Sequence, residues 1–164
     1  MKASEWIVRL AVTRTGASLD RICVRYLDES PVSWIFAWSE GVEYNKPLLL
    51  TTTGRKSGRD RTVVLPYFDA GDGKIAIVGS RGGMPSDPHW ALNLRAHSDA
   101  RVHLKRQEQA IQTHVAEGEE RASLWESITE RSPVYLVYQK RAAKHREIPV
   151  FVLQHPDGSP LETH

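Results

Sequence analysis

Three observations predict an α+β fold in which about six mainly antiparallel strands close into a small barrel, with helices before and around it. From Pro47 onward, short runs rich in Leu, Val, Ile and Thr recur between turn residues. Two of these runs are joined by Gly71-Asp72-Gly73, a connection short enough for a tight hairpin, so neighbouring strands reverse direction. The first 44 residues instead place their apolar positions at helical spacing. Strands joined by hairpins in this number can close on themselves.

The elements follow in order. Trp6, Ile7 and Leu10 begin a first helix, which Gly16 would end. Leu19, Ile22, Cys23, Tyr26 and Leu27 then share one face of a second, with Ser18 as its N-cap. Trp34, Phe36 and Trp38 put three aromatics within five residues. They are expected to pack in a core or pocket; a substrate wall and a membrane-interface patch stay open. Strands are expected at 48–53, 62–69, 74–79, 100–105, 110–117 and 148–154. One helix interrupts them with Asp87 as cap and Pro88 in its first position, running through Trp90 and Asn93 to about His97. A second starts near Glu119 and runs through Leu124, Trp125 and Ile128, and a third spans 133–141. This divides the chain into a helical segment 1–44, a barrel domain 45–154, and a polar tail 155–164 expected to be loose.

Composition sets the outer bounds. The chain has 164 residues, 40% hydrophobic and 26% charged, which suits one globular domain. Cys23 is the only cysteine, so there is no internal disulfide, and a reducing, cytoplasmic setting is expected. No run approaches the roughly 20 apolar residues that span a bilayer, and the N-terminus lacks the order of a secretory signal. A net charge of +2 does not argue for nucleic acid, and no aromatic platform accompanies the basic loop. The clustering of the cations says more than their sum.

The densest cluster is Thr51-Thr52-Thr53-Gly54-Arg55-Lys56-Ser57-Gly58-Arg59-Asp60-Arg61, a glycine-bracketed turn between two apolar runs. Glycines let backbone N–H groups face an anion, and the cations add full charges at the same place. Such a turn suits a phosphate or carboxylate; a merely solvated basic hairpin is the alternative. A second loop, Ile77-Val78-Gly79-Ser80-Arg81-Gly82-Gly83, delivers a serine, a cation and two glycines from the end of another strand. Trp90 and Asn93, three apart on a helix, suit a flat hydrogen-bonding ring, or a core indole beside a bridging amide. Tyr135 and Tyr138 are also three apart, and their hydroxyls could donate to a substrate oxygen or serve as wet tips of packing groups. The seven histidines show no metal-ligand spacing, and no metal is expected. No nucleophile elbow, P-loop or dinucleotide fingerprint is present.

As an ordered set these segments resemble the deazaflavin-dependent nitroreductase family, whose quinone-reductase-like members use coenzyme F420. The resemblance runs over about residues 45–154. It rests on Leu49-Leu50-Thr51-Thr52-Thr53-Gly54-Arg55-Lys56-Ser57-Gly58, Arg61, Leu65-Pro66-Tyr67, Ser80-Arg81-Gly82-Gly83 and Pro88-His89-Trp90-Ala91-Leu92-Asn93-Leu94. Glu120-Arg121, Tyr135-Leu136-Val137-Tyr138-Gln139 and Arg146-Glu147-Ile148-Pro149-Val150 complete it.

The resemblance implies a split β-barrel of the FMN-binding type and the cofactor F420, a deazaflavin with a phosphate and an oligoglutamate tail. It further implies that Arg55, Lys56, Ser57 and Arg61 meet the phosphate or tail. Thr62, Val63, Val64, Leu65, Pro66 and Tyr67, with Val78, Gly79, Ser80 and Arg81, would line the deazaflavin, and His89, Trp90 and Asn93 would complete the cleft. Ser80, Tyr135 and Tyr138 become the candidate catalytic donors to the acceptor oxygen.

The implied activity is hydride transfer from reduced F420 to an electron-poor small molecule: an enone, quinone or nitroaromatic. The implied state is monomer or homodimer, cytoplasmic, with weak membrane-surface contact through the N-terminal aromatics left open. This chain departs from the family pattern at Pro66, where some members carry tyrosine, at Ser132, and at Arg81, where lysine is frequent. Those differences alter the substrate wall. The alternative function is a split-barrel protein that binds or carries F420 or FMN without turnover.

Overall fold

The computed structural model describes residues 13–41 and 43–162. The expected first helix lies largely outside them, and Gly16 does not terminate a helix. It sits in the first turn of α1 (Arg14–Leu27), where its N–H donates to the Thr13 hydroxyl. Thr13, not Ser18, is therefore the N-cap, since its extended backbone aims the hydroxyl at the open end of the helix. Helix α2 (Pro31–Glu40) starts on the Ser30 side chain and ends at Gly41 in the left-handed region.

Seven strands follow: β1 (Pro47–Thr53), β2 (Asp60–Pro66), β3 (Phe68–Asp69), β4 (Ile75–Val78), β5 (Asp99–Leu104), β6 (Gln107–Val115) and β7 (Val150–Gln154). Helices α3 (His89–Ala96), α4 (Gly118–Arg131) and α5 (Val134–Ala142) complete the order, and a 3₁₀ turn spans Arg81–Gly83. The expected strand 62–69 is two strands. Pro66, with no N–H to donate, closes β2. All pairs are antiparallel, in the order β2-β1-β5-β6-β7-β4-β3. The two edge strands, β2 and β3, are separated in sequence by Tyr67 alone. Consecutive Cα atoms lie about 3.8 Å apart, so the sheet must curl until its edges meet at Tyr67. The result is a seven-stranded half-barrel with helices around it, the α+β split-barrel type.

Strand alternation sorts the core into two faces. Ile75, Ile77, Phe151 and Leu153 join Leu48, Leu50, Trp90 and Leu94 in one cluster. Ala76, Val78, Val150 and Val152 join Leu124, Ile128 and Tyr135 in the other, beneath α4 and α5. Strands β4 and β7 are thus covered on both sides, which explains their continuous apolar runs.

Three local expectations need correction. Asp87 does not cap α3; Pro88 holds that position, because the Asp87 carboxylate is taken by Arg146 at 2.8 Å and Arg95 at 3.5 Å. The tail is not loose through 155–162. Leu161 is buried, its N–H donates to the Gly73 carbonyl, and Pro160 packs so closely on Gly73 that a Cβ there would lie 2.4 Å from it. Trp34 and Trp38 are not packed in a core. On α2 they stand one turn apart and are 60% and 69% exposed, while Ala37 takes the inward position. No helix among the described residues is long and apolar enough to cross a membrane.

Candidate functional site

The turn after β1 is built by its own backbone. The Gly54 carbonyl accepts the N–H groups of Ser57 and Gly58, and the Gly54 N–H donates to the Arg59 carbonyl. Gly58 adopts φ +65°, a conformation that disfavours side chains. A Cβ at Gly54 would meet Ser57 Oγ at 2.8 Å and the Arg59 carbonyl at 3.0 Å, so a side chain there would push on the turn.

Asn93 ties this turn to α3. Its side chain is 4% exposed. Nδ2 donates to the Thr52 hydroxyl at 3.0 Å, and Oδ1 accepts from the Arg55 backbone N–H at 3.2 Å. The amide is a bridge that fixes the loop to the helix, the second of the two roles open to it. Trp90 is 7% exposed and packs edge-to-face on Phe151, with ring centroids 5.4 Å apart.

Around the loop lies a cleft of about 810 Å³. Nine residues expected to bind cofactor line it together: Arg55, Lys56, Ser57, Arg61, Thr62, Val63, His89, Trp90 and Asn93. Gly54, Asp60 and Arg21 complete the lining. Asp60, the one carboxylate in that set, is engaged by Arg101 at 2.6 Å. Arg21, Arg55, Lys56 and Arg61 form no ion pair among the described residues. Four like charges facing one cleft repel one another unless an anion enters it.

Other expected residues lie elsewhere. Tyr67 lines a second cleft of about 500 Å³ with Tyr44, Lys46, Asp69 and Arg131. Val64, Leu65 and Pro66 continue β2 opposite Leu49, Leu48 and Pro47. Val78 and Gly79 are buried, and the Gly79 N–H donates to the Pro149 carbonyl at 2.8 Å. The Arg81 guanidinium donates to the Ser86 hydroxyl at 2.7 Å, inside its own loop.

The loop 79–87 is organised by a residue that sequence reasoning did not place in a site. Arg146, 11% exposed, donates to the carbonyls of Gly79, Ser80 and Met84 and pairs with Asp87. Arg21 was missed as well. Local pattern signals neither residue, because each arrives through tertiary packing.

Of the candidate donors, the Ser80 hydroxyl has no hydrogen bond among the described residues, and neither has that of Tyr135. Tyr135 is 8% exposed, its ring edge-on to Phe68 at 5.8 Å and to Tyr138 at 6.0 Å. Burial, with Tyr138 alongside, raises its pKa, so the phenol keeps its proton and remains a donor.

Comparison with known proteins completes the picture. The model of the family F420H(2)-dependent quinone reductase matches residues 36–155. An F420H(2)-dependent quinone reductase of Mycobacterium tuberculosis is 38% identical over 112 residues, 65% of this chain and 71% of that protein. Among solved structures, an F420-H2 dependent reductase, FDR-A, is 37% identical with a TM-score of 0.58, over 66% of this chain and 93% of that one. A second, described as a domain-swapped dimer, is 34% identical with a TM-score of 0.59, over 76% and 100%.

Proposed function

The chain belongs to the F420H(2)-dependent quinone reductase family, and from that premise we propose that it passes a hydride from reduced F420 to a quinone, or to another electron-poor acceptor such as an enone or nitroaromatic. The protein is an oxidoreductase and its cofactor is F420. One observation carries the assignment of the site: Arg55, Lys56 and Arg61 converge on a single cleft without a carboxylate partner among the described residues. That donor set fits a phosphate followed by a chain of carboxylates. A neutral ligand would leave the repulsion among these cations uncompensated.

When bound, F420 supplies a two-electron hydride donor, since carbon replaces the flavin N5; the protein supplies placement and charge. Arg55, Lys56, Ser57 and Arg61 would hold the phosphate and tail, with Thr62 and Val63 beside them. Asn93 would act through the loop, by keeping Arg55 and its neighbours in register with α3. Negative charge that develops on the acceptor oxygen needs a donor. Tyr135 offers a hydroxyl that is protonated and without a partner among the described residues, and Ser80 a second. Tyr138 backs the Tyr135 ring.

The test is steady-state oxidation of F420H2 by the purified protein with a quinone, an enone and a nitroaromatic in turn. Turnover of the quinone supports the proposal. Tight F420 binding with no acceptor reduced would make the protein a carrier, and saturation by FMN in place of F420 would move it to the flavin-using branch of the fold.

A further inference from the structure

We propose that Arg21, on helix α1, is a specificity-determining contact for the anionic tail of the cofactor, so that the N-terminal helix and the barrel together set the affinity for long-tailed F420. The inference rests on the reading of the cleft given above and adds to it a residue from outside the matched family region, which begins at residue 36.

Three observations carry it. Arg21 lines the same cleft as Arg55, Lys56 and Arg61, although more than 30 residues of sequence separate it from them. Second, α1 packs across β1 and β2 and is fastened where it lies. The Asp28 carboxylate receives the Arg106 backbone N–H at 3.1 Å and its Nε at 3.4 Å. His103 Nε2 sits 3.0 Å from the Arg25 carbonyl. Buried Asp20 accepts the Ser30 hydroxyl and the Val32 N–H, locking α1 to α2. Arg21 is therefore a cation on a held helix, not a side chain swinging freely in solvent. Third, its charge has no carboxylate partner among the described residues. Nη2 donates to the Ser18 hydroxyl at 2.9 Å, a neutral partner that orients the guanidinium without neutralising it.

The chemistry of the ligand follows from the count. Arg55, Lys56 and Arg61 already match the charge of a bridging phosphodiester and two carboxylates. A fourth cation reaching the cleft from another element gains a partner only if the anion is longer. Each added glutamate brings one more carboxylate, so the contribution of Arg21 grows with tail length. It is absent for a deazaflavin that lacks both phosphate and tail.

The experiment is a fluorescence titration of the full chain, as wild type, Arg21→Gln, Arg21→Lys and Arg25→Gln. The ligands are F420 species of defined tail length and the tail-less deazaflavin. Arg25 is the control: its side chain is exposed on the same helix and does not line the cleft. Arg21→Gln is expected to weaken long-tailed F420 roughly tenfold, as loss of one charge-assisted contact does. The loss should shrink with each glutamate removed and vanish for the tail-less ligand. Arg21→Lys should recover most of it, and Arg25→Gln should match wild type. Equal losses for all ligands, or no loss in Arg21→Gln while wild type binds F420 tightly, would overturn this inference alone. Failure of wild type to bind F420 at all would overturn the reading of the cleft with it.

Discussion

The two glycine-rich loops, 54–59 and 79–87, look alike as sequence and differ as structures. Each follows an apolar strand and brings glycines beside arginine. In the first, Arg55, Lys56 and Arg61 face the cleft without a carboxylate partner among the described residues. In the second, Arg146 reaches in from outside the loop to hold three backbone carbonyls and Asp87, while Arg81 bonds only the neutral Ser86 hydroxyl. A count of cations does not identify an anion site. What sets the first loop apart is that several cations face one cleft together without a carboxylate partner among the described residues. The first loop leaves its cations facing a cleft; the second is held in shape by Arg146.

The largest effect belongs to Arg146→Met, which leaves Asp87 part-buried without its main partner and frees three carbonyls. Urea unfolding should show a loss of about 3–5 kcal/mol; a loss under about 1 kcal/mol would mean that the second loop does not depend on this residue. Asn93→Ala removes the bridge from Thr52 to Arg55 and should cost about 1–3 kcal/mol, with weaker F420 binding as the first loop comes away from α3.

Lys56→Ala and Arg61→Ala should invert that pattern. Stability should stay within about 0.5 kcal/mol of wild type. F420 affinity should fall roughly tenfold for each, and its dependence on salt should flatten. The smallest change is expected for Arg81→Gln, an exposed side chain bonded within its own loop. If that substitution weakens F420 as much as Lys56→Ala does, the second loop is an anion site too, and the distinction between the loops fails.

Much of this was legible in the sequence because it is local. The hairpin at 71–73, the turn at 54–58 and the alternation along β4 and β7 each depend on residues within a few positions of one another. The division of one expected strand into β2 and β3 was also written locally, in Pro66, but reads as a break only once closure of the barrel demands a corner there. Ser18 and Thr13 are both good caps for α1, and sequence does not show which of them adopts the extended backbone. Trp34 and Trp38 were expected inside because aromatic residues usually bury; the helix that carries them turns Ala37 inward instead. Arg21 and Arg146 were invisible as site residues for a single reason. The groups Arg146 holds, and the cations that share a cleft with Arg21, lie 34 or more residues away, brought near by packing that no periodicity records.

Whether the unpaired cations beside the first loop receive F420 can be read by titrating the wild-type chain in parallel with oxidised F420 and FMN and following fluorescence quenching. F420 is expected to bind at micromolar affinity or tighter and FMN negligibly. Equal binding of both, or of neither, would contradict that expectation.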